Sequence, residues 1–226
     1  MFLDVMVENL HKSIYRNKEA LDYLYSRYVT EEDIKNYKLG YSMVVSVPED
    51  THEDRDRFLK ENAKGRKFEG KIIFPLYDVM GRVIGIAGRS IQMKDFKNFI
   101  TNEGKTIGFF FGLYQALPYI YKENKAYIVE GYFDCMAMKK VFPNTVGAMT
   151  AGLSEEQHRY LSMFCDNIIT VFDSDEPGQS ATDKVRELYK VQSFGLGYKD
   201  PAKCMETLGP EKFKSFVLKK SQEILF

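Results

Sequence analysis

The chain has 226 residues, 44% of them hydrophobic, enough for one large buried core or two small ones. Lys plus Arg balance Asp plus Glu at 32 each, so no global basic character marks it, and no apolar run or leader pattern suggests a membrane or secreted protein. Cys135, Cys165 and Cys204 lie far apart without a Cys-x-x-Cys pair, and with only 3 His this argues against a zinc site and a disulfide framework.

Residues 1 to 40 read as two helices. Val5, Leu10, Ile14, Leu21 and Leu24 recur near helical spacing in the first; the second starts after Thr30, with Asp33 completing a cap, and ends near Gly40. Tyr15, Tyr23, Tyr25, Tyr28 and Tyr37 are read as packing residues rather than base-stacking ones. Residues 48 to 66 read as an exposed charged helix and loop. From Lys60 to Lys105 there are ten Lys or Arg against five Asp or Glu, a local basic excess that the net charge conceals. Lys71 to Pro75 and Arg82 to Ile86 read as strands joined through Asp78-Val-Met-Gly81, a hairpin by turn chemistry, with Arg89 where the second strand leaves the sheet.

The second half alternates. Ala126-Tyr-Ile-Val-Glu-Gly-Tyr-Phe-Asp134 and Ile168-Ile-Thr-Val-Phe-Asp-Ser-Asp175 each begin as a short apolar run and stop on a carboxylate, as a buried parallel strand does where it leaves the core. Tyr132 to Phe142, Ser154 to Phe164 and Gln179 to Val191 read as helices, the second opening on a Ser-Glu-Glu-Gln capping box; Asn144 to Met149 reads as another strand. Strand and helix in turn imply an α/β parallel sheet with right-handed crossovers. Glu130 and Asp173 then end separate strands on the edge where such sheets bind ligands. Strand alternation turns Asp173 and Asp175 to one side, with Asp134 a helical turn beyond Glu130. Carboxylates gathered at one point hold protons or a hard cation, and Mg2+ suits oxygen ligands of this kind. Singly, Asp134 also reads as a helix-start charge and Asp175 as a turn former; Glu130 has no such local use.

Glu130-Gly-Tyr-Phe-Asp134 followed by Phe172-Asp-Ser-Asp-Glu-Pro-Gly178 resembles the TOPRIM signature, a glutamate motif and then Asp-x-Asp-x-x-Gly. Lys71-Ile-Ile-Phe-Pro-Leu-Tyr-Asp-Val-Met-Gly-Arg-Val-Ile-Gly-Ile-Ala-Gly-Arg89 and Gly112-Leu-Tyr114, upstream of it, resemble the polymerase core of bacterial-type (DnaG-like) DNA primases. So does Ala20 to Tyr41. The resemblance implies a TOPRIM domain over residues 121 to 205, with a parallel sheet flanked by helices. Before it stands a basic α+β subdomain over 1 to 120, and after it a closing helix over 206 to 226. It implies synthesis of short RNA primers on single-stranded DNA from ribonucleoside triphosphates, with Mg2+ or Mn2+, in the cytoplasm of a bacterial or phage-infected cell. Glu130, Asp134, Asp173 and Asp175 are the implied catalytic group. Glu130, Asp173, Asp175 and Asp200 are the implied metal ligands, and Lys71, Arg89, Lys97 and Lys105 the nucleotide- or DNA-binding set.

Three stretches depart from the family pattern. Ile100-Thr101 replaces the Asn-Ser or Asn-Thr expected after the lysine that Lys97 matches; Thr150-Ala151-Gly152 approximates a Gly-Thr; and after Asp200-Pro201 a second acid is replaced by Ala202-Lys203. The family's zinc-binding and helicase-engaging domains find no counterpart, so the expectation is a fragment, a split subunit or a reduced phage or mobile-element form. A separate zinc module and a replicative helicase are then its expected partners. A TOPRIM nuclease, or a catalytically idle DNA- or replisome-binding module, is the alternative.

Overall fold

Asn17 decides how the amino-terminal segment folds. In the computed structural model, which describes residues 2–93, 95–107, 109–150 and 152–223, the chain forms two units, Met1–Thr106 and Ile107–Phe226. Helix α1 (Phe2–Ile14) buries Phe2, Leu3, Met6, Val7, Leu10 and Ile14, a stripe at helical spacing. The continuous helix expected as far as Leu24 breaks because the Asn17 side chain accepts the Ala20 N–H at 2.8 Å and starts a new helix, α2 (Lys18–Ser26). Val5, expected on the apolar face, is 50% exposed. The Thr30–Asp33 capping box forms in full and opens α3 (Glu31–Asn36), which stops before Gly40 because Gly40 already belongs to strand β1 (Gly40–Ser42). A Cβ on Gly40 would lie 2.8 Å from the Leu10 carbonyl carbon, so the strand runs directly against α1.

The charged stretch expected to be exposed carries part of the core. Helix α4 (Glu53–Glu61) buries Phe58 completely, with its ring 5.9 Å from Phe2, 5.7 Å from Phe68 and 5.0 Å from Phe99. Phe58→Ala is expected to cost about 3–5 kcal/mol, the range for truncating a buried aromatic. Urea unfolding measures this, and a loss below about 1 kcal/mol would show that the neighbours close the gap. After a 3-10 turn over Ala63–Phe68, strands β2 (Lys71–Tyr77), β3 (Val83–Ser90) and β4 (Phe96–Ile100) complete an antiparallel sheet in the order β1-β2-β3-β4. The expected hairpin is present: Asp78 Oδ1 accepts the N–H groups of Met80 and Arg82, both at 2.9 Å, and Gly81 takes φ +79°. Strand β3 runs further than its sequence suggests, so Arg89 sits within the sheet, paired with Ile72 and Phe96, rather than at its exit. Helix α5 (Asn102–Ile107) follows β4.

The second unit opens with α6 (Leu113–Glu123) and then alternates β5 (Lys125–Val129), α7 (Tyr132–Lys139), β6 (Thr145–Gly147), α8 (Glu155–Leu161), β7 (Asn167–Thr170), α9 (Glu176–Tyr189) and β8 (Gln192–Ser193). The strands pair in parallel in the order β6-β5-β7-β8. Helices α10 (Pro201–Leu208) and α11 (Pro210–Lys220) close the unit, with α10 packed against α7. The closing helix expected to reach Phe226 is described through Glu223, its last turn 3-10; residues 224–226 lie outside the described residues. Strand β7 ends at Thr170, so Asp173 and Asp175 stand on the loop beyond it and strand alternation does not orient them. Helix α9 starts at Glu176 rather than Gln179, because Pro177 fits the first helical turn, where its missing N–H costs nothing. Among the described residues no helix is long and apolar enough to cross a membrane.

Candidate active site

Three backbone tethers bring the acids to the carboxyl edge of the parallel sheet. Glu130 follows β5, and its Oε1 accepts the Asp173 N–H at 3.2 Å, linking it to the loop after β7. Ser174 N–H donates to the Lys199 carbonyl at 2.8 Å, linking that loop to the turn before α10. Asp134, in the first turn of α7, accepts the Ala202 N–H on Oδ1 at 3.0 Å, linking α7 to the start of α10. Asp175 and Asp200 are N-caps: Asp175 Oδ1 accepts the Gly178 N–H at 3.1 Å, and Asp200 Oδ1 accepts the Lys203 N–H at 2.6 Å. Each cap fixes its carboxylate and places it at the positive end of a helix dipole. Glycine leaves room for this assembly at two places. A Cβ on Gly131 would overlap Asp134 Oδ2, and one on Gly178 would overlap the Asp173 carbonyl oxygen.

Asp173 is at the centre. Burial, then the charges of Asp134, Glu130, Asp200 and Asp175, push its carboxyl up to about 8. Its Oδ1 is buried without a hydrogen-bond partner. Burial also raises Glu130; the Asp173 N–H offsets part of this, and the Asp175 charge adds to it. The five acids read from the sequence therefore meet, and Asp175 serves as a helix cap and a member of the cluster at once. An orphaned carboxylate oxygen among like charges fits a divalent cation, which Asp173, Asp175 and Asp200 would hold, with Glu130 beside them as a further ligand or as a proton acceptor. Among the described residues no group of three His, Cys, Asp or Glu is arranged to hold a metal ion. The acids are close enough to couple electrostatically but do not stand as a ready-made ligand set.

The basic residues divide differently from their sequence grouping. Lys71 pairs across the sheet with Ser90, and Lys97 with Gly88, so both lysines share one face, whereas Arg89, opposite Ile72 and Phe96, takes the other. On the first face Asp95 lies 2.7 Å from Lys71 Nζ and 3.7 Å from Lys97 Nζ. Lys71 is only 7% exposed, and its ammonium, first among the causes, holds the Asp95 carboxyl below the usual carboxylate range. Sequence reasoning passed over Asp95, whose one signal is its place between two lysines near a strand start. On the second face the Arg89 guanidinium stands 5.5 Å from the Phe96 ring centre. Lys105 is exposed in the last turn of α5.

Two family models match this chain in succession: "DNA primase catalytic core, N-terminal domain" over residues 6–107 and "Toprim-like" over 127–202. The DNA primase of Thermotoga maritima is 31% identical across 91% of this chain and 40% of its own length. The chain belongs to the DnaG-like primase cores. It spans about a quarter to a half of the length of the curated primases it matches. The zinc-binding and RNA polymerase domains of Aquifex aeolicus primase superpose with a TM-score of 0.76 at 26% identity, covering 96% of this chain and 59% of that one. A DnaG primase catalytic domain bound to single-stranded DNA has the same fold, with a TM-score of 0.70 at 20% identity over 96% of this chain and 79% of that one.

Against the DnaG-like pattern, two departures have a local account. Thr101 keeps a capping role in this core: its Oγ1 accepts the Gly104 N–H at 3.1 Å at the start of α5. Ala202, where the pattern has a second acid, contributes its backbone N–H to Asp134 instead of a carboxylate. The third departure includes Ala151, which lies outside the described residues.

Proposed function

We propose that this DnaG-like core synthesises short RNA primers from ribonucleoside triphosphates on a single-stranded DNA template, and that Mg2+, or Mn2+ in its place, is the ion it uses. The observation carrying this reading is the convergence of four acids on the half-buried Asp173 carboxylate, whose Oδ1 is buried without a hydrogen-bond partner. Phosphoryl transfer depends on positioning and charge neutralisation more than on covalent chemistry by the protein. The ion, when bound, would neutralise and polarise phosphate oxygens. Asp173, Asp175 and Asp200 would hold it, two of them already fixed by their caps. Asp134 orients α10 through Ala202, and Glu130, raised by burial, is suited to take the proton lost by an attacking hydroxyl. The primase domain solved with single-stranded DNA supports that template, and the match over residues 6–107 favours a primase over a nuclease. A zinc module and a replicative helicase are the proposed protein partners.

Incubation with single-stranded DNA, labelled ribonucleotides and Mg2+ or Mn2+ decides among the activities. Growing oligonucleotides support the proposal, shortened DNA assigns the acids to a nuclease, and neither leaves a binding module. The lysine pair gives a second test. Lys97→Ala is expected to lower single-strand affinity and to reduce the slope of log affinity against log salt by about 0.7, the loss of one phosphate contact. Lys71→Ala, which strips Asp95 of its near partner, should instead appear chiefly as a lower melting temperature. An unchanged salt slope for Lys97→Ala would remove Lys97 from the template path.

A further inference from the structure

Gln157 performs two tasks, and only one of them is helix capping. Its Oε1 accepts the Ser154 N–H at 3.2 Å, closing the capping box of α8. Its Nε2 points away from that helix and donates to two other segments, the Phe109 carbonyl at 3.0 Å and the Ala148 carbonyl at 2.8 Å. Gln157 is 6% exposed and Ala148 fully buried, so the amide satisfies at Ala148 a carbonyl that water does not reach.

What Gln157 grips is the segment that sits on Glu130. Ala148 N–H donates to the Val129 carbonyl at 2.8 Å, and Met149 N–H to the Glu130 carbonyl at 2.9 Å. Met149 makes that contact at φ +62°, a left-handed conformation that a side chain adopts only where its surroundings impose it. Thr150 Oγ1 donates to the Gly152 carbonyl at 3.1 Å. A continuous path therefore runs from the Gln157 amide through Ala148 and Met149 to the Glu130 backbone. It continues through the Glu130 carboxylate to the Asp173 N–H.

We propose that Gln157 is a positioning residue for the acidic site, its Nε2 locking Ala148 and Met149 so that Glu130 is held against Asp173. The inference rests on the primase reading for its kinetic arm alone. Losing the amide would free Met149 from its strained conformation and let the Glu130 carboxylate drift together with the Asp173 loop it tethers, which weakens cation binding and turnover without touching template or nucleotide contacts.

The test compares Gln157→Met, which keeps length and loses both polar ends, with Gln157→Glu, which keeps an acceptor for Ser154 and loses the donor. Leu161→Ala, a core truncation on the same helix, controls for plain destabilisation. Two readouts are taken on folded protein: Mn2+-dependent thermal stabilisation, and kcat against nucleotide KM. Both Gln157 variants should need about tenfold more Mn2+ for half-maximal stabilisation, a loss typical of groups that orient ligands from behind. Their kcat should fall roughly ten- to a hundredfold with KM little changed. Leu161→Ala should lower the melting temperature and leave both readouts alone. Gln157 variants that behave like Leu161→Ala, or that fail to fold in both forms, would overturn the proposal by reducing the residue to a structural one. If the unaltered chain makes no primers, the proposed activity fails, and the Mn2+ readout still decides the role of Gln157.

Discussion

Asp173→Ala is expected to lower the proposed primer synthesis by at least roughly a hundredfold and to make the cation-free protein harder to melt near pH 8. Activity is lost because the carboxylate at the centre of the cluster is gone. Stability should rise because the folded state no longer gathers a half-buried carboxyl with four other acids. The pH dependence follows from the direction of the shift. Asp173 ionises at about 8 in the folded protein against 3.8 ordinarily, so between those values the folded state holds a proton that the unfolded chain has released. The unaltered protein therefore loses stability as pH rises through that window. Asp173→Asn, neutral throughout, escapes the loss; its advantage should be largest at and above pH 8 and vanish below pH 4. Thermal melts in a chelating buffer at several pH values check this. Adding Mn2+ should reverse the order, since an ion bound only by the folded state stabilises it by mass action. A melting-temperature difference that ignores pH, or primer synthesis that survives either substitution, would displace Asp173 from the centre of the site.

Gly178→Ala is expected to be as damaging as removal of an acid, although glycine does no chemistry. The added Cβ would overlap the Asp173 carbonyl oxygen and stand 2.8 Å from its carbonyl carbon, so the obstacle is backbone rather than a side chain that can swing aside. Either α9 withdraws, taking the Asp175 cap with it, or the Asp173 loop shifts and breaks its tether to Glu130. A stability loss of about 1–3 kcal/mol, the range for overpacking, should accompany the loss of synthesis. Gly131→Ala makes the instructive comparison. Its Cβ would meet the Asp134 carboxylate, which can rotate away from Ala202, so the fold should survive while activity drops. Chemical denaturation and primer assays on both variants measure the split. Full activity in Gly178→Ala would mean that α9 and the Asp173 loop tolerate separation.

The sequence carried the parallel half of the fold and the membership of its site, because both depend on local rules. Ala126 to Val129 and Ile168-Ile169 are short buried hydrophobic runs, as strands covered on both faces require, and the acids that follow stand where those strands leave the core. The Thr30 and Ser154 caps and the Asp78 turn are likewise set by residues within four positions of one another. Tertiary structure decided what depended on distant partners. Strand β4 and the two-residue β8 have too little apolar pattern to announce themselves and exist because β3 and β7 offer them hydrogen bonds. Arg89 and Lys97 look like one basic patch until the register of β3 and β4 puts them on opposite faces, since neighbours along a strand alternate. Lys71 carries a formal charge whose use is fixed by Asp95 across a hairpin. At Gln157 the division runs through a single side chain: its oxygen serves the cap that the sequence announces, and its nitrogen serves Phe109 and Ala148, which come within reach only when the sheet has formed.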